Sequence, residues 1–258
     1  MRPNTLKTIW LSKKAAINGW LHIPSSWSAE VMAHQGYDSL TVDLEHGLVD
    51  FQAAIPMLQA ISTTDVVPLA RAPWNEPGII MKLLDAGAYG VICPMVETAE
   101  ECGRFVGACR YHPHGYRSLG PTRARLYGGA DYEQHANDEI LTFAMVETGR
   151  AVENIDQIVG VPGLNGVYIG PGDLSLSLGL RKRLDNDEPA FLGALDTILA
   201  TCARHGVVAG IHTNDPAYAL QMIARGFRLV TVMTDTTLLG AMAQKTVSAV
   251  RNATPPRP

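Results

Sequence analysis

From residue 15 almost to the end of the chain, short apolar runs alternate with segments of helical period. AINGWLHI precedes SAEVMAHQG, YDSLTVDLEH precedes DFQAAIPMLQAIS, and DVVPLARAP precedes EPGIIMKLLDAG. The beat continues with YGVICPMVE and TAEECGRFVGACR, LTFAMVE and RAVENIDQIVG, then NGVYIGPGD and PAFLGALDTILATCARHG. It closes with VVAGIHT and DPAYALQMIARG, then FRLVTVMTD and TTLLGAMAQKTVSAVRNA. The short runs are nearly all apolar rather than alternating, as in parallel strands covered on both faces by helices. About eight such units with no linker predict an α/β fold, a single (β/α)8 barrel domain over residues 1–258. An open doubly wound sheet is the alternative, but no ligand crevice at a strand-order reversal is marked.

Punctuation agrees with this reading. Gly36, Gly87, Gly160, Gly206 and Gly226 fall near the ends of helical runs, where a left-handed cap favours glycine. RYHPHGYRSLGPTRARLYGGADYEQHAN reads as irregular, and the terminal TPPRP as a frayed tail that cannot extend a helix. The N-terminal stretch lacks the apolar core and cleavage site of a signal peptide and predicts a short amphipathic helix.

Composition narrows the function classes. A net charge of −4 argues against a broad nucleic-acid footprint, and no run approaches the roughly 18 apolar residues of a membrane span. Cys93, Cys102, Cys109 and Cys202 show no CxxC spacing and are too sparse for a disulfide framework. Buried, reduced thiols and a cytoplasmic location are expected.

In a parallel barrel, chemistry gathers at the carboxyl ends of strands. Polar residues fall there. Strand two ends in Asp43-Leu44-Glu45-His46, strand three in Arg71, strand five in Glu147, strand six in GPGD with Asp173, and Trp20 lies near the end of strand one. Glu147 and Asp173, one unit apart, offer two hard oxygens to a divalent cation with room for water and substrate. The bland alternative for either acid alone is a helix cap. Thr148 is the better cap beside Glu147, and the glycine before Asp173 suits close approach of a ligand. Arg71 closes an apolar strand, and its fork suits a carboxylate or an enolate oxygen. Asp43 and Glu45 are near enough in sequence to orient the His46 imidazole, with Glu45 either a structural or a chemical partner. His212 is a candidate pocket residue without a role. His22 and the remaining histidines read as structural or exposed.

Taken together, DLEHG, LARAP, LLDAGAYGVICPMVET, GYRSLG, MVETG and GPGDLS, in order along nearly the whole chain, resemble the HpcH/HpaI aldolase family. The resemblance implies a (β/α)8 barrel acting on 2-keto acids, with Glu147 and Asp173 as ligands of Mg²⁺, Mn²⁺ or Co²⁺. It implies His46 as general base through a metal-bound water with Asp43 beside it, and Arg71 as the group that stabilises the enolate. Asp85, in LLDAG, would raise the basicity of the histidine from a neighbouring subunit, within a homo-oligomer built from trimers, a hexamer. The Gly172–Asp173 backbone would receive the pyruvate carboxylate, with Trp20 and Met145 also in contact with substrate.

Two departures stand out. Met145 replaces a glutamine common two residues before the metal-binding glutamate, removing an amide contact to the 2-keto acid. Ser118 stands in GYRSLGP where a glycine is usual. Arg117, Arg123 and Arg125 nearby read either as partners of a substrate carboxylate or as a solvated face. The implied reaction is reversible cleavage of a 4-hydroxy-2-keto acid to pyruvate and an aldehyde. A Schiff-base route would need a lysine closing a strand, and none does. Rival readings are a malyl- or citramalyl-CoA type lyase and a non-catalytic barrel subunit.

Overall fold

The computed structural model describes residues 1–253, so the TPPRP tail lies outside the described residues. Eight strands form a closed parallel barrel in sequence order: β1 (Ala16–Leu21), β2 (Ser39–Asp43), β3 (Val67–Arg71), β4 (Gly90–Cys93), β5 (Leu141–Val146), β6 (Gly166–Ile169), β7 (Val208–Thr213) and β8 (Leu229–Val232). β8 returns to β1, with Ala16 opposite Leu229. Burial on both faces explains why these strands read as continuous apolar runs: β2, β3, β4, β5 and β6 have no exposed residue.

Local chemistry sets the helices between them. Asp50, Thr98 and Asp215 cap helices Phe51–Ile61, Ala99–Cys109 and Pro216–Arg225, and Thr98 and Glu101 form a reciprocal capping box. Four of the five marked glycines have positive φ, but Gly160 (φ −73°) ends its helix right-handed. The run at 150–160 is broken at Asn154, whose side-chain amide donates to the Glu97 carbonyl at 2.9 Å instead of riding on a continuous helix. The stretch expected to be irregular holds two short helices, Thr122–Gly128 and Tyr132–Glu139.

The N-terminal helix, Thr5–Leu11, packs beneath the amino end of the barrel. Trp10 meets Phe143 edge to face at 6.1 Å and donates its indole N–H to the Arg228 carbonyl. Higher in the barrel, Asn18 donates to Thr41 and Thr231 and accepts from Ser39, while the Tyr168 hydroxyl donates to Thr231 at 2.6 Å. This satisfied polar layer supports the mouth, with Trp20 stacked on Tyr168 at 5.3 Å above it. All four cysteines are buried and free. Among the described residues, no helix is long and apolar enough to cross a membrane.

Candidate active site

Parallel register brings Asp43 of β2 directly opposite Arg71 of β3. The guanidinium answers with a bidentate pair, Nε donating to Asp43 Oδ1 at 2.8 Å and Nη2 to Oδ2 at 2.6 Å. Oδ2 also accepts from Trp20 Nε1 at 3.1 Å and lies 2.8 Å from His22 Nε2, and Oδ1 accepts the Glu45 amide at 3.0 Å. Burial alone would raise the Asp43 acid, but the bonds from His22, Arg71 and Trp20 outweigh it and hold the carboxyl far below the usual range. Arg71 is held cationic: burial opposes its charge, and Asp43 more than compensates. Its carbon lies 5.0 Å over the Trp20 ring.

Arg71 Nη1 also comes within 2.7 Å of Glu45 Oε2, off the hydrogen-bonding direction, so that among the described residues this buried oxygen receives no donor. Burial raises the Glu45 acid against the pull of Arg71. The arginine fork, expected to suit a carboxylate or an enolate oxygen, is therefore largely engaged by protein carboxylates.

Across the mouth, Glu147 follows β5, whose Val146 pairs with Ile169 of β6. That register lays the Glu147 side chain over Gly170, where any Cβ would overlap Oε2. Its Oε1 accepts the Met95 amide at 2.7 Å, presented by a residue in left-handed conformation (φ 52°). Burial, reinforced by the charges of Glu45 and Asp173, pushes the Glu147 acid up to about 7 against the Met95 bond and Arg71. Thr148 caps the next helix, as its sequence position predicted, leaving Glu147 free of that duty. Asp173 stands exposed in the first turn of helix Pro171–Ser177.

A cavity of about 360 Å³ joins these groups. Of the residues singled out from sequence, Trp20, His46, Arg71, Met145, Glu147, Gly172, Asp173 and His212 line it, with Asp43 buried behind Arg71. His46 is well exposed, its Nε2 3.9 Å from Glu45 Oε1. Asp43 meets only the His46 backbone amide, at 3.4 Å; the imidazole it holds is that of His22. Burial, then the charges of Arg71 and His22, push His212 down to about 3, so that it is a neutral wall.

Asp85 does not line the cavity. It accepts from Arg117 at 2.7 Å and borders a separate hollow with Lys82 and Arg123. Arg117 is itself buried, Arg123 is half-buried and donates to the Ala86 carbonyl, and Arg125 alone of the three is exposed, 3.3 Å from Glu133. Sequence reasoning missed His22 and Lys182, both cavity-lining. The first was detectable, because Leu21 pairs with Val42 and the next residue must fall beside Asp43. Lys182 folds over Gly172 from an irregular segment and gave no periodic signal.

Comparison with known proteins identifies the family. Residues 19–241 match the model described as HpcH/HpaI aldolase/citrate lyase. The chain belongs to the HpcH/HpaI aldolase family. A hydroxypyruvate/pyruvate aldolase of Rhizorhabdus wittichii is 38% identical over 96% of this chain and 99% of its own. A 4-hydroxy-2-oxo-heptane-1,7-dioate aldolase of Escherichia coli is 35% identical over 93% and 92%. A solved structure of a family member from Burkholderia cenocepacia superposes with a TM-score of 0.89 at 32% identity, covering 96% of this chain and 99% of that one. With this family match, aldolase relatives aligned over more than nine-tenths of the chain, and the barrel, the chain is a carbon–carbon lyase of the aldolase type.

Proposed function

We propose that this aldolase is divalent-metal dependent and reversibly cleaves 4-hydroxy-2-oxo acids to pyruvate, or a related 2-oxo acid, and an aldehyde. The carrying observation is the excess of negative charge at the barrel mouth. Glu147 is buried against the charges of Glu45 and Asp173, and Glu45 Oε2 is buried without a donor. Among the described residues no three His, Cys, Asp or Glu side chains form a ready cluster. Glu147 and Asp173, which both line the cavity, are the carboxylates that would hold a cation there, with water and substrate completing its shell. Mg²⁺, Mn²⁺ and Co²⁺ all suit these oxygens. When bound, the ion acts as a Lewis acid on the 2-oxo acid.

The chain's own groups supply the rest. Arg71, fixed by Asp43, adds positive charge where the enolate develops. His46, exposed to the cavity, moves the proton at the donor's methyl carbon. The Gly172–Asp173 backbone receives the carboxylate, and Trp20 and Met145 shape the donor pocket. The names of the Rhizorhabdus and Escherichia relatives support a 2-oxo acid donor. Chelation by EDTA should abolish cleavage and Mn²⁺ should restore it; full turnover in metal-free enzyme rejects the reading.

The same reading extends to assembly as a homo-oligomer built from trimers, a hexamer. Helix Asp235–Ala253 is exposed from residue 239 through 252, including Leu239, Met242 and Val247. An apolar helix face of this length asks for cover. In such an assembly Asp85 would serve a neighbouring subunit's histidine. Native mass spectrometry tests this, and a monomer at working concentration rejects it.

A further inference from the structure

An aldol cleavage moves two protons. One leaves the hydroxyl oxygen as the carbon–carbon bond breaks, and one arrives at the carbon that becomes the methyl of pyruvate. His46 is assigned to the carbon. The structure holds a second imidazole better prepared for the oxygen.

His22 follows β1, and its Nε2 lies 2.8 Å from Asp43 Oδ2. Asp43 is wholly buried and bound bidentately by Arg71, so it stays ionised and only accepts hydrogen bonds. With the ring hydrogen assigned to Nε2, the ring nitrogen that meets that carboxylate, Nδ1 carries the lone pair. Nδ1 has no hydrogen-bond partner among the described residues, and the side chain lines the cavity. A buried carboxylate fixing the tautomer and orientation of an imidazole is how proteins prepare a base. Within one chain His46 lacks that support: the carboxylate it meets, Glu45, is 3.9 Å away.

The backbone at His22 is also fixed. Its amide and that of Ile23 donate to Asp235 at 2.9 and 3.1 Å, and its carbonyl accepts from Leu48. In the ring order of the barrel, β1 stands across from β5, so His22 faces the wall opposite Glu147. A substrate whose oxo-acid half is held by Glu147 and Asp173 and flanked by Trp20 would reach that wall with its hydroxyl-bearing carbon.

We infer that His22, held by Asp43, is a second proton-transfer residue of this site, acting on the hydroxyl oxygen of the 4-hydroxy-2-oxo acid. In cleavage, Nδ1 takes the hydroxyl proton and the O–H electron pair becomes the second bond of the aldehyde carbonyl. The electrons of the breaking carbon–carbon bond pass into the enolate of pyruvate, which His46 protonates at carbon. In condensation each transfer reverses. Both imidazoles recover their starting states by exchange with solvent.

The inference rests on the proposed donor chemistry, and two assays separate them. Exchange of pyruvate methyl protons with deuterated water, in the Mn²⁺-supplied enzyme without aldehyde, reads only the carbon transfer. Cleavage of a 4-hydroxy-2-oxo acid made from pyruvate and a simple aldehyde reads both. His22→Gln keeps a donor for Asp43 yet moves no proton. It should lower cleavage about 10²–10⁴-fold while exchange falls by only a few fold. In His22→Ala, added imidazole should recover part of the lost cleavage, a response that a purely structural role would not give. Cleavage by His22→Gln close to wild type, an equal loss in both assays, or failure of imidazole to recover His22→Ala overturns the inference. Wild-type enzyme that neither exchanges nor cleaves overturns the donor chemistry and this inference with it.

Discussion

Two buried arginines, Arg71 and Arg117, look alike one at a time and differ in what surrounds them. Both pair with an aspartate and both lie over aromatic rings: Arg71 on Asp43 and Trp20, Arg117 on Asp85 and Tyr111. Around Arg117 there is no second carboxylate in hydrogen-bond contact among the described residues: the Tyr132 hydroxyl accepts at 3.0 Å, and Arg110 lies near enough to add positive charge. One carboxylate holds its fork, and the buried Nε is left without an acceptor among the described residues. Around Arg71, Asp43 is joined by Glu45, Glu147 and, farther out, Asp173, with Lys182 only at the exposed rim. A buried ion pair says little by itself, since desolvation offsets most of its Coulombic gain. The unbalanced sum marks the site: negative charge that folding alone would not assemble beside a cavity.

The largest way to break this comparison is Asp43→Asn. Removing one partner of a buried pair costs roughly 3–5 kcal/mol, and the loss should appear in a urea titration at neutral pH. Because the native Asp43 acid is depressed, its stabilisation is complete above the ordinary value near about 3.9. It fades as pH falls from there toward the native value. The variant should lose that acid-side slope, and an unchanged slope would show that Asp43 is not held ionised.

Arg71→Lys should reduce kcat/KM about 10²–10³-fold, because an ammonium cannot span Asp43 and still face Glu45. The matched Arg117→Lys should lower Tm while leaving Mn²⁺ affinity, read by calorimetry, where it was. Equal effects of the two exchanges on metal affinity would erase the distinction. Gly170→Ala is a finer probe. Its methyl displaces Glu147, and metal affinity should fall about 10–100-fold, as when a ligand's supporting contacts are lost. Wild-type affinity in that variant would remove Glu147 from the metal site.

Much of this was legible in the chain. Apolar runs located all eight strands, and the strand-end positions of Arg71, Glu147 and Asp173 followed from them, because parallel β/α order fixes which end faces the mouth. What spacing could not convey was the direction each side chain takes across the ring. His46 sits three residues from Asp43 and reads as its partner, yet the register offers Asp43 to His22 and Arg71 instead. Arg117 and Asp85 are joined by packing between distant segments, which no local period records. Lys182 depends on how an irregular segment folds back, and the two short helices after residue 121 follow no clear amphipathic beat.

The Met95 amide that reaches Glu147 has a consequence for sequence drift. Because the anchor comes from the main chain, replacing the Met95 side chain leaves the donor in place, provided the newcomer accepts a left-handed backbone. Glycine or asparagine there should be tolerated, whereas valine or isoleucine should twist the peptide and let the acid swing. The position is therefore free in chemistry but restricted in shape, and random substitution at residue 95 would sort by branching at Cβ rather than by polarity.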